Sequence, residues 1–79
     1  MLYWAEDEGG LKLSDLTGHE AKIVLAGGQE IYCRIIEYDQ EDRSLSVEQR
    51  DPATKKVLGY RNIKIRGIRQ IEVMDYSAV

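Results

Sequence analysis

Few residues in this chain are equipped for chemistry. His19 and Cys33 are the only histidine and cysteine among 79 residues. A lone histidine without further ligands at suitable spacing assembles no metal site. Cys33 falls midway along an inward-facing strand position, where a cysteine is a small core residue and not a nucleophile. Glu37, Asp39, Glu41 and Asp42 crowd together, but without the glycine and ligand order of a calcium loop. No glycine-rich phosphate loop precedes a helix. The pattern predicts a non-enzyme with no metal and no cofactor.

What remains is binding chemistry. Lys55, Lys56, Arg61, Lys64, Arg66 and Arg69 fall in a stretch, residues 52–71, that holds no acid. The acids gather instead in Glu6-Asp7-Glu8 and in the 37–42 cluster, and the whole chain carries a net charge of −3. A local basic face can attract a polyanion even on an acidic protein. Alternatively, the two kinds of segment pair with each other across the fold or between subunits. Tyr38 and Tyr60 offer rings for base stacking, or pack half-buried at a sheet edge. Tyr3 and Trp4 would be an anchor for a partner, or part of a tail tucked onto its own domain.

These residues need a scaffold, and the length limits it to one domain. A chain this small removes only about 60–65% of its unfolded surface from water, so a partner subunit covering exposed edges would add useful stability. With 43% hydrophobic and 32% charged residues the composition is globular. The longest apolar run, Ile23-Val24-Leu25-Ala26, is far short of a membrane span. Met1-Leu2-Tyr3-Trp4 runs directly into acids, unlike a secretory signal. The single cysteine forms no internal disulfide, and the cytoplasm is the expected location. Residues 1–10 read as a tail or an extra hairpin strand, with Leu2 and Trp4 facing Leu11 and Leu13 across Glu8-Gly9-Gly10. Residues 11–79 read as the single folded domain.

Within that domain the apolar residues alternate with period two, the signature of half-buried strands. One helical turn fits residues 13–17, with Ser14 as its N-cap. Strands follow over residues 19–25 and 29–39, joined by Ala26-Gly27-Gly28, whose glycines supply the positive φ of a tight hairpin. The second strand is long enough that it must bend or bulge to serve both halves of a barrel. A charged turn, Gln40-Glu41-Asp42-Arg43, leads to a third strand over 44–50, with Leu45 and Val47 inward and Ser44, Ser46 and Glu48 outward. Asp51-Pro52-Ala53-Thr54 is a turn. A fourth strand spans 56–65, Arg66-Gly67 is a hinge, and a fifth strand spans 68–74. The fold class predicted is all-β: five antiparallel strands in a small, strongly bent barrel after a short N-terminal helical turn.

The order of these features resembles the Sm/Lsm domain, an SH3-like small β-barrel. Gly18, Ile23, Leu25, Gly28, Ile31, Ile35, Tyr38 and Asp39 match the spacing of the first Sm motif, and Ile65-Arg66-Gly67 matches the second. The resemblance runs from about residue 11 to 74. Cys33 stands where the family places the glycine of its sharp strand bend, and the loop from Asp39 to Ser44 lacks the family's asparagine and its stacking side chain. A minor resemblance links residues 61–73 to the C-terminal segment of WYL domains, Sm-like barrels of bacterial regulators.

The Sm resemblance implies a homo-oligomeric ring that binds single-stranded RNA or DNA at its pore. Arg66 takes the family's RNA-contacting position, where a guanidinium stacks on a base or forks onto phosphate; its structural alternative is a tie to a neighbouring acid. Asp39 would support the binding loop, or simply act as a turn acid. Arg43, Ser44 and Gly67 complete the implied nucleic-acid site. The ring implies that the fourth strand of one subunit pairs with the fifth of the next, using edges that contain Tyr60, Ile63, Ile65, Ile68, Ile71 and Val73. Two other readings stay open: an adaptor that keeps the barrel without binding nucleic acid, favoured by the acidic loop, and a WYL-like regulatory barrel that takes a ligand.

Overall fold

A computed structural model describes residues 2–4 and 13–74. The alternation becomes six strands and two short 3-10 turns: β1 (Leu2–Trp4), a first turn (Leu13–Leu16), β2 (Glu20–Leu25), β3 (Glu30–Asp39), β4 (Ser44–Arg50), β5 (Val57–Lys64), a second turn (Ile65–Gly67) and β6 (Ile68–Val73). All pairings are antiparallel and form one sheet in the order β1-β6-β2-β3-β4-β5.

That order forces curvature. β5 and β6 are consecutive in sequence but stand four places apart in the sheet. Four strand spacings span about 19 Å in a flat sheet, whereas the four residue steps from Lys64 to Ile68 reach at most about 14 Å. The sheet therefore rolls until its far side approaches β6. Two backbone bonds secure the crossing: Ile65 N–H donates to Arg43 O at 2.9 Å, and Ala26 N–H donates to Gly67 O at 2.9 Å. The roll leaves the sheet open, with β1 on one edge and β5 on the other.

The inner face is the expected one. Ala21 and Ile23, Ile31, Cys33 and Ile35, Leu45 and Val47, Ile63, and Ile68, Ile71 and Val73 are buried together with Leu16 and Ile65 from the turns. The β2–β3 hairpin closes with Gly28 at φ 91°, its N–H donating to Leu25 O at 2.8 Å. A side chain at that φ would be strained, hence glycine.

Three details differ from the sequence expectation. Leu2–Trp4 pairs with β6, Leu2 opposite Val73 and Trp4 opposite Ile71, instead of turning back on Leu11 and Leu13; Leu11 lies outside the described residues. Ser44, expected outward, is fully buried. Its hydroxyl can be buried because it is satisfied: it donates to Asp42 Oδ2 at 3.2 Å and accepts from Asn62 Nδ2 at 3.1 Å. The irregularity in β3 falls between Ile35 and Glu37. Cys33 stays in register, opposite Ala21 on one side and Gln49 on the other, so the ladder is regular where the resemblance places its bend.

Candidate nucleic-acid interface

The roll of the sheet brings the β3–β4 loop beside the β5–β6 crossing. Arg43 and Arg66, far apart in sequence, thereby line one open cleft of about 470 Å³, together with Glu41, Asp42 and Lys64. Asp39 builds the loop: its Oδ1 accepts the Asp42 N–H at 3.0 Å, the local bond that favours Asp in turns. Arg43 follows with φ 52°, and its carbonyl is held by Ile65 N–H. The backbone on both sides of the cleft is thus fixed by hydrogen bonds.

Of the expected site residues, Arg43 and Arg66 face the cleft. Asp39 and Ser44 support it, one by holding the loop and the other from beneath. Gly67 spends its carbonyl on Ala26 N–H. Sequence reasoning missed Lys64, whose Nζ stands 2.7 Å from Asp42 Oδ2. Lys64 and the Ser44 hydroxyl hold the Asp42 carboxyl below its usual range. The register shows why they meet: Lys64 lies opposite Ser44, two residues from Asp42. Arg66 is exposed and its side chain makes no hydrogen bond or ion pair among the described residues, nor do the side chains of Lys56, Arg61 or Arg69.

The cleft is near electrical balance, with three cations facing two acids and Lys64 in contact with Asp42. Such a site is suited to a few phosphate contacts more than to deep polyanion capture. Tyr38 packs half-buried against the core, whereas Tyr60 is 71% exposed. The apolar side chains expected at an oligomer interface, Ile63, Ile65, Ile68, Ile71 and Val73, are core residues of this one chain. Only the backbone edges of their strands remain for pairing, and on β6 the outer edge carries β1.

A second polar cluster, on the outer face, was invisible in the sequence. Tyr32 OH donates to Glu20 Oε2 at 2.6 Å, and Lys55 Nζ donates to Tyr32 OH while lying 4.4 Å from its ring centre. Arg50 Nε donates to Glu48 Oε1 at 2.7 Å, and its guanidinium reaches Glu20 at 3.7 Å. Lys22 joins β2 to β6 through Glu72 at 3.2 Å and also faces Glu30 at 3.6 Å. Hydrogen bonding to Tyr32 and the nearby Glu20 charge raise the Lys55 pKa; Glu72 and then Glu30 raise that of Lys22. The basic segment therefore pairs in part with acids, Lys55 with Glu20 and Lys64 with Asp42.

Among the described residues, no three His, Cys, Asp or Glu side chains converge as a metal site, and no helix is long and apolar enough to cross a membrane. No family model matches the chain, and neither does any curated protein or solved structure. The likeness to Sm domains accordingly rests on the residues quoted for it and on their spacing.

Proposed function

We propose that this protein is an Sm-like binding module that holds single-stranded RNA, or DNA, at the Arg43–Arg66 cleft with modest affinity. The carrying observation is the convergence of the Asp39–Ser44 loop and the Ile65–Gly67 turn on one cleft, secured by the bond between Ile65 N–H and Arg43 O. Arg66 supplies a planar guanidinium, unpaired among the described residues, for phosphate or base. Arg43 adds a second charge, and Asp39 fixes the loop that carries it. The role proposed is one of binding, in the cytoplasm.

The adaptor reading has one specific observation in its favour. Asp42 already occupies Lys64, and Glu41 sits in the same cleft. A phosphate must compete with those carboxylates. A ring built by pairing β5 of one subunit with β6 of the next needs β1 displaced from β6. Binding of an oligouridylate, followed by fluorescence anisotropy against salt, separates the two readings. Affinity that falls with salt and weakens in Arg66→Ala supports the nucleic-acid module; an absence of binding at low salt favours the adaptor.

A further inference from the structure

Independently of what the cleft binds, we propose that β5 pairs with β5 of a second copy to make a symmetric, concentration-dependent dimer. A sheet edge is a row of unpaired backbone groups that templates another strand unless something covers it. Here β1 lies on β6, so β5 is the outermost strand on the other side of the sheet, and no described element pairs with its outer edge. The large apolar side chains exposed in the described residues concentrate on it: Val57 is 49% exposed, Leu58 62% and Tyr60 71%, with only Ile36 and Met74 elsewhere.

The hydrogen-bond parity of β5 tells which groups are available. Ile65 N–H bonds to Arg43 O, and antiparallel ladders alternate. Ile63 and Arg61 therefore direct their backbone groups toward β4, while Tyr60, Asn62 and Lys64 direct theirs outward. Two such edges can pair only in registers that match outward residues with outward residues. A register centred on Arg61 sets two guanidinium groups directly opposite each other, which is destabilising. One centred on Asn62 leaves Leu58 outside the pairing.

The register centred on Tyr60 meets both demands. It sets Tyr60 against Tyr60 of the partner subunit and Arg61 against Gly59 of the partner subunit, with Leu58, the extra residue where β5 bulges against β4, near Asn62 of the partner subunit. The exposed apolar side chains of both strands then meet around the two-fold axis. The contact is one short strand pair, below the roughly 1,200 Å² of stable complexes, so the dimer forms by mass action. Because the same edge serves both subunits, it closes at two copies.

Light scattering and sedimentation from low to high micromolar concentration test this. The mass is expected to rise from one chain to two and stop. Tyr60→Lys, which opposes like charges on the axis, and Tyr60→Pro, which removes an outward N–H while leaving the Arg61 and Ile63 bonds to β4 in place, should each abolish the rise. Ile36→Lys, exposed but two strands away on β3, should leave it unchanged. Tyr60→Cys should give an intersubunit disulfide on mild oxidation, since hydrogen-bonded antiparallel partners sit about 5.5 Å apart between Cα atoms. A monomer at every concentration overturns the proposal. So does a dimer that persists in both strand variants, and so does a closed assembly of more than two chains. None of these results bears on RNA binding by the cleft, which the anisotropy titration reads separately.

Discussion

Replacing Arg66 by alanine tests the cleft most directly, because its size of effect follows from the charges that line it. For single-stranded nucleic acid, the slope of log K against log salt is about −0.7 per neutralised phosphate. Arg43, Lys64 and Arg66 are the cations facing the cleft. If all three engage phosphate, the slope is about −2.1 and falls to about −1.4 in Arg66→Ala. If Lys64 stays on Asp42, where it sits at 2.7 Å, the corresponding values are about −1.4 and −0.7.

Either case predicts a loss of about 0.7 in slope, and the starting value reveals whether RNA competes Lys64 away from Asp42. The assay is anisotropy of a labelled oligouridylate over a salt series, run beside circular dichroism. Arg66 is exposed and holds no partner among the described residues, so the fold should be unchanged. An unchanged slope and affinity would remove Arg66 from the site. A slope much steeper than −2.1 would show that phosphates are bound elsewhere, with Lys56, Arg61 and Arg69 the first cations to examine.

Ile71→Ala should cost about 2–5 kcal/mol, the usual price of emptying a buried isoleucine, because Ile71 is fully buried between β2 and β1. A domain of this size has only about 4–12 kcal/mol to lose, and a urea midpoint that barely moves would refute the packing described. Asp42 has its pKa lowered by Lys64 and Ser44; its contribution is present above the ordinary carboxylate pKa and lost as pH falls through the depressed folded value. Asp42→Asn should therefore flatten the acid limb of the stability–pH curve, and a parallel curve would show that the pair contributes nothing. Burial pushes the Cys33 thiol up to about 12, so at neutral pH a thiol reagent should modify it only at the rate of unfolding; fast labelling of the folded protein would contradict its place in the core.

The strands were legible because alternation records a buried face directly. Ala21, Ile23 and Leu25 in β2, with Ile31, Cys33 and Ile35 in β3, need only a period of two to be read, and the glycine turn between them fixes the hairpin. β4 likewise begins and ends where the pattern says. Ser44 was misread for a physical reason: polarity predicts exposure only when no partner waits inside, and here Asp42 and Asn62 supply both of its hydrogen bonds. β5 defeats pattern reading in the opposite sense, since Val57, Leu58 and Tyr60 are apolar but stand beyond the core.

Nonlocal register was the other hidden quantity. Nothing in the local sequence shows that Lys22 will lie opposite Glu72, or that Leu2–Trp4 will choose β6; both follow from β6 returning to the side of β2. The cleft occupies middle ground. Arg66 and the Asp39–Ser44 loop were legible as motif positions, whereas Lys64 came into view only through its register with Ser44.

Charge shows most clearly what folding changes. In the sequence, residues 52–71 look uniformly basic. In the fold, Lys55 turns onto Tyr32 and Glu20, and Lys64 turns onto Asp42. Lys56, Arg61, Arg66 and Arg69 make no such contact among the described residues, and only Arg66 of these lines the cleft. An exposed ion pair contributes little stability, so Asp42 can yield Lys64 to a competing phosphate at small cost to the fold. On the proposed reading, the acids that would lower the affinity of the cleft for phosphate also keep its lysine in position. If the cleft binds nucleic acid as proposed, that binding is set by a competition between carboxylate and phosphate for the same ammonium, more than by the count of basic residues in the segment.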